Sequence, residues 1–441
     1  MIENLYLALL ISPFVWIALL SVSFFMRVAI PERVLSEAVK YFSLYMATVS
    51  LILFGYCWNY SPAAFHFDYA SWISVADYQF NIRWIVDVLG ATYALLSTVL
   101  VGIIFRYSRN YLHKEEGYFR FIFMMSVLLF GLLIVSFARS LDLLFAGWEM
   151  VGTTSVLLIS YFYTSVQPVR HALKAMISYR LCDMGILAAY SWSHHYMHST
   201  DFTEIPELVV HAHGGVTLVL IGACIIWASL AKSGQLPMSS WLPTAMEGPT
   251  PSSAIFYGAL SIHLGPFLLL RCYDYLSHFP ALLWIIGIVG GVTALYASAV
   301  GRTRSDAKTM LAYATISQVG IIWIEIALGF TNFALFHIVT HASLRTWQYL
   351  RSSSIIQDFY ENPVVHQNVM IKRSLFLESL FSAKVKKFIF VHALHGFHLD
   401  YFTGRVIALV CAPVKAYIAM EDKWMELDNK LMKRLIGKDR R

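Results

Sequence analysis

The chain is 441 residues long, with 58% of its positions hydrophobic, only 14% charged and a formal net charge of +6. A water-soluble protein of this length carries far more charge on its surface. A soluble globular fold is therefore excluded, and an all-α, polytopic bundle of transmembrane helices is expected. The basic excess needs no nucleic-acid partner, since much of it falls in loops and a tail that the positive-inside rule assigns to the cytoplasm.

Read in order, apolar runs long enough to cross a bilayer fall near residues 5–28, 38–58, 84–106, 119–138, 141–163, 172–192, 216–232, 252–270, 281–301, 307–329 and 332–351, about eleven spans. Glu3 precedes the first run where a cleavable signal would have basic residues, and no small-residue cleavage site follows. Arg27, Arg33 and Lys40 flank the first loop, and Arg106, Arg109, Lys114 and Arg120 the third. Arg170 and Lys174, then Arg302, Arg304 and Lys308, follow in later odd loops, whereas Asp68, Asp77, Asp201, Glu204 and Glu207 mark the loops between. This alternation predicts a multi-pass protein with its N-terminus outside and its tail in the cytoplasm. Residues 1–356 are expected to form the bundle and 357–441 a mainly cytoplasmic tail. Its short apolar run Val406–Met420, broken by Pro413 and Lys415, reads as either a twelfth span or an interfacial helix.

Charged residues inside spans are the candidates for function, because lipid tolerates them only when they are paired or face a polar cavity. Lys232 ends the run Val216–Leu230 and opens AKSGQLPMSSWLPTAMEGPTPSSA, where Gly234, Pro237, Pro243, Gly248, Pro249 and Pro251 prevent a continuous helix. Glu149 lies in LDLLFAGWEMVGTTSVLLISYFY between Gly147 and Gly152. A carboxylate and a lysine brought together in a polar pocket form a coupled, proton-exchanging pair. Arg180 and Asp183 stand three residues apart on one helical face, suited either to a relay or to a self-neutralised pair holding two helices in register. His337 and His341 share a face at i,i+4, as relay or polar core. The same spacing occurs in metal helices, but there is no HExxH and no third ligand. Arg345 follows His341 by one turn and is placed to set its charge. His263 reads as a relay or a hydrogen-bonded core histidine, and Lys308 as a pathway residue or a snorkelling lysine.

The five cysteines, Cys57, Cys182, Cys224, Cys272 and Cys411, have no metal-ligand spacing and read as small core residues. The histidines of SHHYMHSTDF and HAHGG fall in an outer loop, and His392, His395 and His398 form an unassigned helical stripe. No nucleotide loop or covalent-catalysis motif is present, so no cofactor and no catalysis are expected in the chain itself.

Together, WIVDVLGATY, LLFAGWEMVGTTSVLLISYFY, SYRLCDMG, the lysine-break-GPTP block, DAKTMLAYATISQVG and LFHIVTHASLRTWQYLRSSSII resemble the antiporter-like, proton-translocating subunits of respiratory complex I and of multisubunit Na⁺/H⁺ antiporters. The resemblance implies that Glu149 and Lys232 form a first half-channel, with Lys308, His337 and His341 on a central hydrophilic axis. Tyr257 stands where that family usually has a histidine, and the family's second broken helix, with its lysine, is not found before the tail. In this shortened form the chain is most similar to the DabB-type subunit of two-component inorganic-carbon accumulation systems. That similarity implies H⁺ or Na⁺ flow coupled to a large soluble DabA-type protein, related to β-carbonic anhydrases, on the cytoplasmic face. Zinc would belong to that partner. The alternatives are a redox-driven pump subunit of a complex I-like or hydrogenase assembly, and a non-conducting membrane anchor.

Overall fold

The computed structural model describes residues 2–28, 30–60, 64–75, 78–204, 215–352 and 382–436. In chain order the long helices are α1 (Ile2–Phe25), α2 (Glu32–Asn59), α3 (Val88–Tyr111), α4 (Tyr118–Phe137), α5 (Leu141–Ile159), α6 (Val166–Met197), α7 (Gly215–Lys232), α8 (Thr250–Arg271), α9 (Pro280–Gly301), α10 (Ala307–Ala327) and α11 (Thr331–Ser352). Among the described residues nine of these are both long and apolar enough to cross a bilayer. The other two, α6 and α11, have the length but carry the polar stripes Arg170–His171–Lys174–Arg180–Asp183 and His337–His341–Arg345. The polytopic helical architecture read from the sequence is the one found.

An extramembrane β-hairpin is the main addition. Strands β1 (Phe65–Val75) and β2 (Tyr78–Val86) pair antiparallel, with Phe67 opposite Trp84 and Asp68 opposite Arg83. The span expected from residue 84 starts instead at Val88. Asp87 caps that helix by accepting the Gly90 N–H at 2.8 Å, so Trp84–Val86 stay extended. Tyr6 stacks on Phe67 at 4.6 Å, seating the hairpin on α1. The buried Asp201 carboxylate accepts from Arg139 at 2.8 Å and Arg83 at 3.2 Å, and Arg139 also reaches Asp68 at 2.9 Å. Two arginines on one buried carboxylate tie the hairpin to the α4–α5 corner and to the segment after α6.

Successive helices alternate in direction, so the hairpin, the α4–α5 corner, the C-terminus of α8 and the α10–α11 corner share one end of the bundle, the hairpin end. The α6 N-terminus, the segment after Lys232 and the α9–α10 loop share the other. Burial then sorts the helices. In α8 94% of the apolar window is inside the protein, against 28% in α1, α2 and α9. The proline-started helix α8 is therefore the centre, and α9 shows Trp284, Ile288 and Leu295 to the surroundings. α8 is irregular: an α-turn at Thr250–Ser253 passes into a π-turn at Ala254–Ala259 and a 3₁₀ turn at Ser261–His263 before Leu264–Arg271 resumes. Such departures from i→i+4 bonding collect at working sites in helices.

At the chain's end, α12 (Ala383–Leu394) and α13 (Leu399–Ile436) are resolved as separate helices. The apolar run around Val406–Met420 and the polar end beyond it join into one 38-residue helix that contains Pro413, rather than two elements. Its first turns are tied to the bundle by Lys174 Nζ, which donates to Asp400 at 2.9 Å, and by the Ser240 and Thr403 hydroxyls, 2.9 Å apart. Gln357, Glu207, His211 and His213 lie outside the described residues. His194 and His195 belong to the last turn of α6 rather than to a loop, and His198 caps it in the left-handed region.

Candidate functional site

Lys232 is the last helical residue of α7, and the helix ends there through its own backbone. Gly234, at φ +60°, donates to Ala231 O at 3.1 Å, while Gln235 N–H reaches Leu230 O at 2.9 Å. These two bonds form a Schellman cap, whose left-handed residue glycine accommodates without strain. The ammonium thus sits at the C-terminal, electronegative end of a helix. Pro237 lies in the turn that follows and Pro243 in the short helical turn Trp241–Thr244. Gly248 is extended, while Pro249 caps α8 and Pro251 lies in its first turn, where a missing N–H costs nothing. Lys174 donates to Ser240 O at 3.0 Å, and His171 pairs with Glu247 at 3.2 Å, so α6 holds this whole segment in place.

The Lys232 side chain is completely buried. Nζ donates to Trp148 O at 3.3 Å and lies 4.3 Å above the Tyr179 ring and 5.4 Å from that of Trp148. Among the described residues no carboxylate comes within the 4.0 Å of an ion pair with it. Glu149 instead meets the Arg180 guanidinium, which also approaches Asp183 at 3.9 Å. The buried Asp183 accepts from Trp148 Nε1–H at 2.6 Å. One oxygen of each carboxylate, Glu149 Oε1 and Asp183 Oδ2, is buried without a hydrogen bond. Gly152 makes the arrangement possible: a Cβ there would overlap Lys232 Nζ and lie 3.7 Å from Arg180 Nη2. Two cations and two carboxylates thus converge on one glycine, a balanced cluster when all are charged. Arg180 keeps its proton under any ordinary condition, so Lys232, Glu149 and Asp183 are the members able to exchange one.

The second cluster is a file of imidazoles. His263 Nδ1 faces the Ala259 carbonyl, and its Nε2 lies 3.0 Å from His341 Nδ1. Arg345 Nε–H donates to His341 Nε2 at 3.2 Å. A carbonyl only accepts and a guanidinium only donates, so one neutral pattern satisfies every contact: His263 carries its proton on Nδ1, His341 carries its own on Nδ1, and each Nε2 accepts. His337, one turn earlier, is 6.0 Å from His341 between ring centroids and pairs through Nδ1 with Glu325 at 2.8 Å. The i,i+4 histidines thus turn to different partners, and among the described residues no three metal-binding side chains converge. Between the two clusters lie the buried Tyr179 hydroxyl, which has no hydrogen bond among the described residues, and the Ser155 and Ser261 hydroxyls, 3.5 Å apart, Ser261 standing two residues before His263.

Of the residues singled out by sequence, Glu149, Arg180 and Asp183 come together and Lys232 joins them through Trp148. His263, His341 and Arg345 are in direct contact, with His337 next to them. Lys308 is not brought to either group: it lies half-buried in the first turn of α10, while Glu325 lies near the last, about 25 Å away along the helix. Tyr257 is buried against Trp241, with ring centroids 5.8 Å apart. Sequence reading missed Trp148, Tyr179 and Glu325. Glu325 was detectable, as a carboxylate inside the 307–329 apolar run.

A family model described as "NADH:quinone oxidoreductase/Mrp antiporter, TM" matches residues 138–397, a stretch that contains both clusters. The chain belongs to this family. A second model, "NADH-Ubiquinone oxidoreductase (complex I), chain 5 N-terminus", matches residues 72–122. The NADH-quinone oxidoreductase subunit L of Escherichia coli K12 is 32% identical over 288 residues, 65% of this chain and 47% of the relative. Subunit L of Rickettsia bellii is 30% identical over 346 residues, 76% and 53%. The NADH-ubiquinone oxidoreductase chain 5 of Dictyostelium discoideum is 31% identical over 320 residues, 70% and 48%. The chain spans about half the length of these curated relatives. Among solved structures the Mrp complex from Dietzia sp. DQ12-45-1b superposes with a TM-score of 0.68 at 23% identity, covering 78% of this chain and 37% of that one. The archaeal membrane-bound sulfane sulfur reductase gives 0.66 at 19%, covering 79% and 56%. These two likenesses establish the antiporter-type fold of the membrane bundle.

Proposed function

We propose that this chain is the ion-translocating membrane subunit of a multisubunit complex and that the ion is a proton. The supporting observation is Lys232: a fully buried amine held by one carbonyl and two ring faces, next to carboxylates that an arginine has engaged. An amine in that position carries charge at a desolvation cost that its partners offset only in part. Its protonation then responds to any movement of Glu149 or Asp183. The Tyr179–Ser155–Ser261 hydroxyls offer a route onward to the histidine file. Catalysis would reside in a soluble partner. Following the DabB resemblance, that partner is a DabA-type zinc protein on the cytoplasmic face, and the coupled process is uptake of CO₂ or bicarbonate across a bacterial inner membrane.

The test is proton uptake into proteoliposomes holding the full chain with its co-purified partner, driven by an imposed membrane potential. Lys232→Ala and Glu149→Gln each abolish it if the reading holds. Full uptake in both variants contradicts it. A second reading, a subunit of a redox-driven complex, is favoured by the 32% and 30% identity to NADH-quinone oxidoreductase subunits L. Mass spectrometry of the purified complex separates the two: a zinc protein supports the first, flavin or iron–sulfur proteins the second.

A further inference from the structure

The histidine file has a direction. His263 and His341 are buried at 0% and 5%, whereas the His337 side chain is 19% exposed and the buried Glu325 beside it 11%. That pair sits at the α10–α11 corner, the hairpin end of the bundle. That corner turns through Gly329, with Phe330 N–H bonded to Glu325 O at 2.9 Å, so the carboxylate and His337 face each other across a turn only a few residues long. One Glu325 oxygen accepts from or shares a proton with His337 Nδ1, and the other is buried without a hydrogen bond. Toward the C-terminus of α11 the file is bounded by Arg345, which occupies His341 Nε2 and cannot itself relay a proton.

We propose that Glu325, with His337, is the port through which the histidine file exchanges protons with the hairpin side of the membrane. The proposal rests on the proton-path reading of the chain. A proton leaves His341 through Nε2 when Arg345 releases that nitrogen, crosses to His337, whose ring centroid is 6.0 Å away, and passes on to the Glu325 carboxylate; the reverse sequence serves uptake. Glu325 is hydrogen-bonded to His337 from α11, while its helix neighbours Ala327 and Ile324 face Gly287 and Gly291 of α9 and the Tyr273 hydroxyl lies beside Gly329. His337 is thus the titratable side chain in direct contact with it.

Two readouts test this. The first is proton uptake in proteoliposomes for Glu325→Gln, with Lys232→Ala measured alongside. Gln keeps an acceptor for His337 and so preserves a merely structural latch, but it cannot carry the proton. Uptake falling about tenfold or more in Glu325→Gln, a size typical of removing a positioned acid–base group, supports the port. Wild-type uptake in Glu325→Gln while Lys232→Ala is inactive overturns the port and leaves the proton path standing. The second readout needs no flux: infrared difference spectra of the solubilised protein between acid and alkaline buffer. A carboxyl C=O band that titrates, disappears in Glu325→Gln and moves in His337→Asn supports the exchange. A band unaffected by both substitutions overturns it.

Discussion

Replacing Gly152 by alanine is the sharpest perturbation of the buried cluster, because it adds one methyl group and removes no titratable group. The new Cβ would overlap Lys232 Nζ and touch Lys232 Cε at 3.8 Å. Relieving that overlap to ordinary van der Waals separation moves the ammonium by roughly 1 Å. The direction available is away from α5, which lengthens the 3.3 Å bond to Trp148 O. A hydrogen bond to a charged group contributes about 1.5–3 kcal/mol, so weakening it by that amount corresponds to a loss of roughly ten- to a hundredfold in any step that needs Lys232 charged and in place. The assay is proton uptake in proteoliposomes, with thermal unfolding in detergent measured on the same preparation. Gly147→Ala serves as the packing control. Its Cβ would run into the Gly131 carbonyl, Val135 and Ile134 at the α4–α5 contact rather than a cation, so it should lower the unfolding temperature more than the specific uptake of folded protein. Gly152→Ala should do the reverse. Uptake at the wild-type rate in a folded Gly152→Ala protein would refute the assigned role of the glycine and, with it, the account of how the amine is held.

Other consequences of the structure are equally open to measurement. Arg345→Leu removes the donor that holds His341 Nε2 as an acceptor, so ¹⁵N spectra of labelled protein should change from a single tautomer to a mixture; an unchanged spectrum refutes the assigned pattern. Arg271 is buried and paired with Asp87 while donating to Ser136 O at 3.1 Å, so Asp87→Asn leaves a stranded guanidinium at a cost of about 3–5 kcal/mol. The expected result is a marked drop in thermal stability, with the double variant Asp87→Leu/Arg271→Leu recovering much of it. Lys174→Ala should release the start of α13 from the segment after Lys232, seen as faster proteolysis of the tail; unchanged cleavage contradicts that anchoring.

Much of the site was legible because lipid makes each polar residue in an apolar run conspicuous. Lys232, Glu149, Arg180, Asp183 and His341 were each found that way, and the glycine–proline block marked the break in the helices. The pairing was not legible. Glu149 engages Arg180 from the neighbouring helix rather than Lys232, whose ammonium is held by the Trp148 carbonyl and the Tyr179 and Trp148 rings. Which faces of α5, α6 and α7 meet depends on close approaches such as those at Gly147 and Gly152, which no single run displays. Lys308, read as a pathway residue or a snorkelling lysine, lies in the first turn of α10, about 25 Å along that helix from Glu325. The hairpin was overlooked although Tyr78–Trp84 alternates apolar and polar residues, because Trp84–Val86 merged with the apolar run that follows Asp87.

Helix spans, their caps and the buried charges are local properties: each follows from a few dozen consecutive residues and the cost of taking peptide and charge out of water. The ion-pair partners, the tautomers of the histidine file and the emergence of Glu325 at the hairpin end depend on residues tens of positions apart. Only packing decides which of those approach within hydrogen-bonding distance, because a shift of an ångström at a helix crossing exchanges one partner for another.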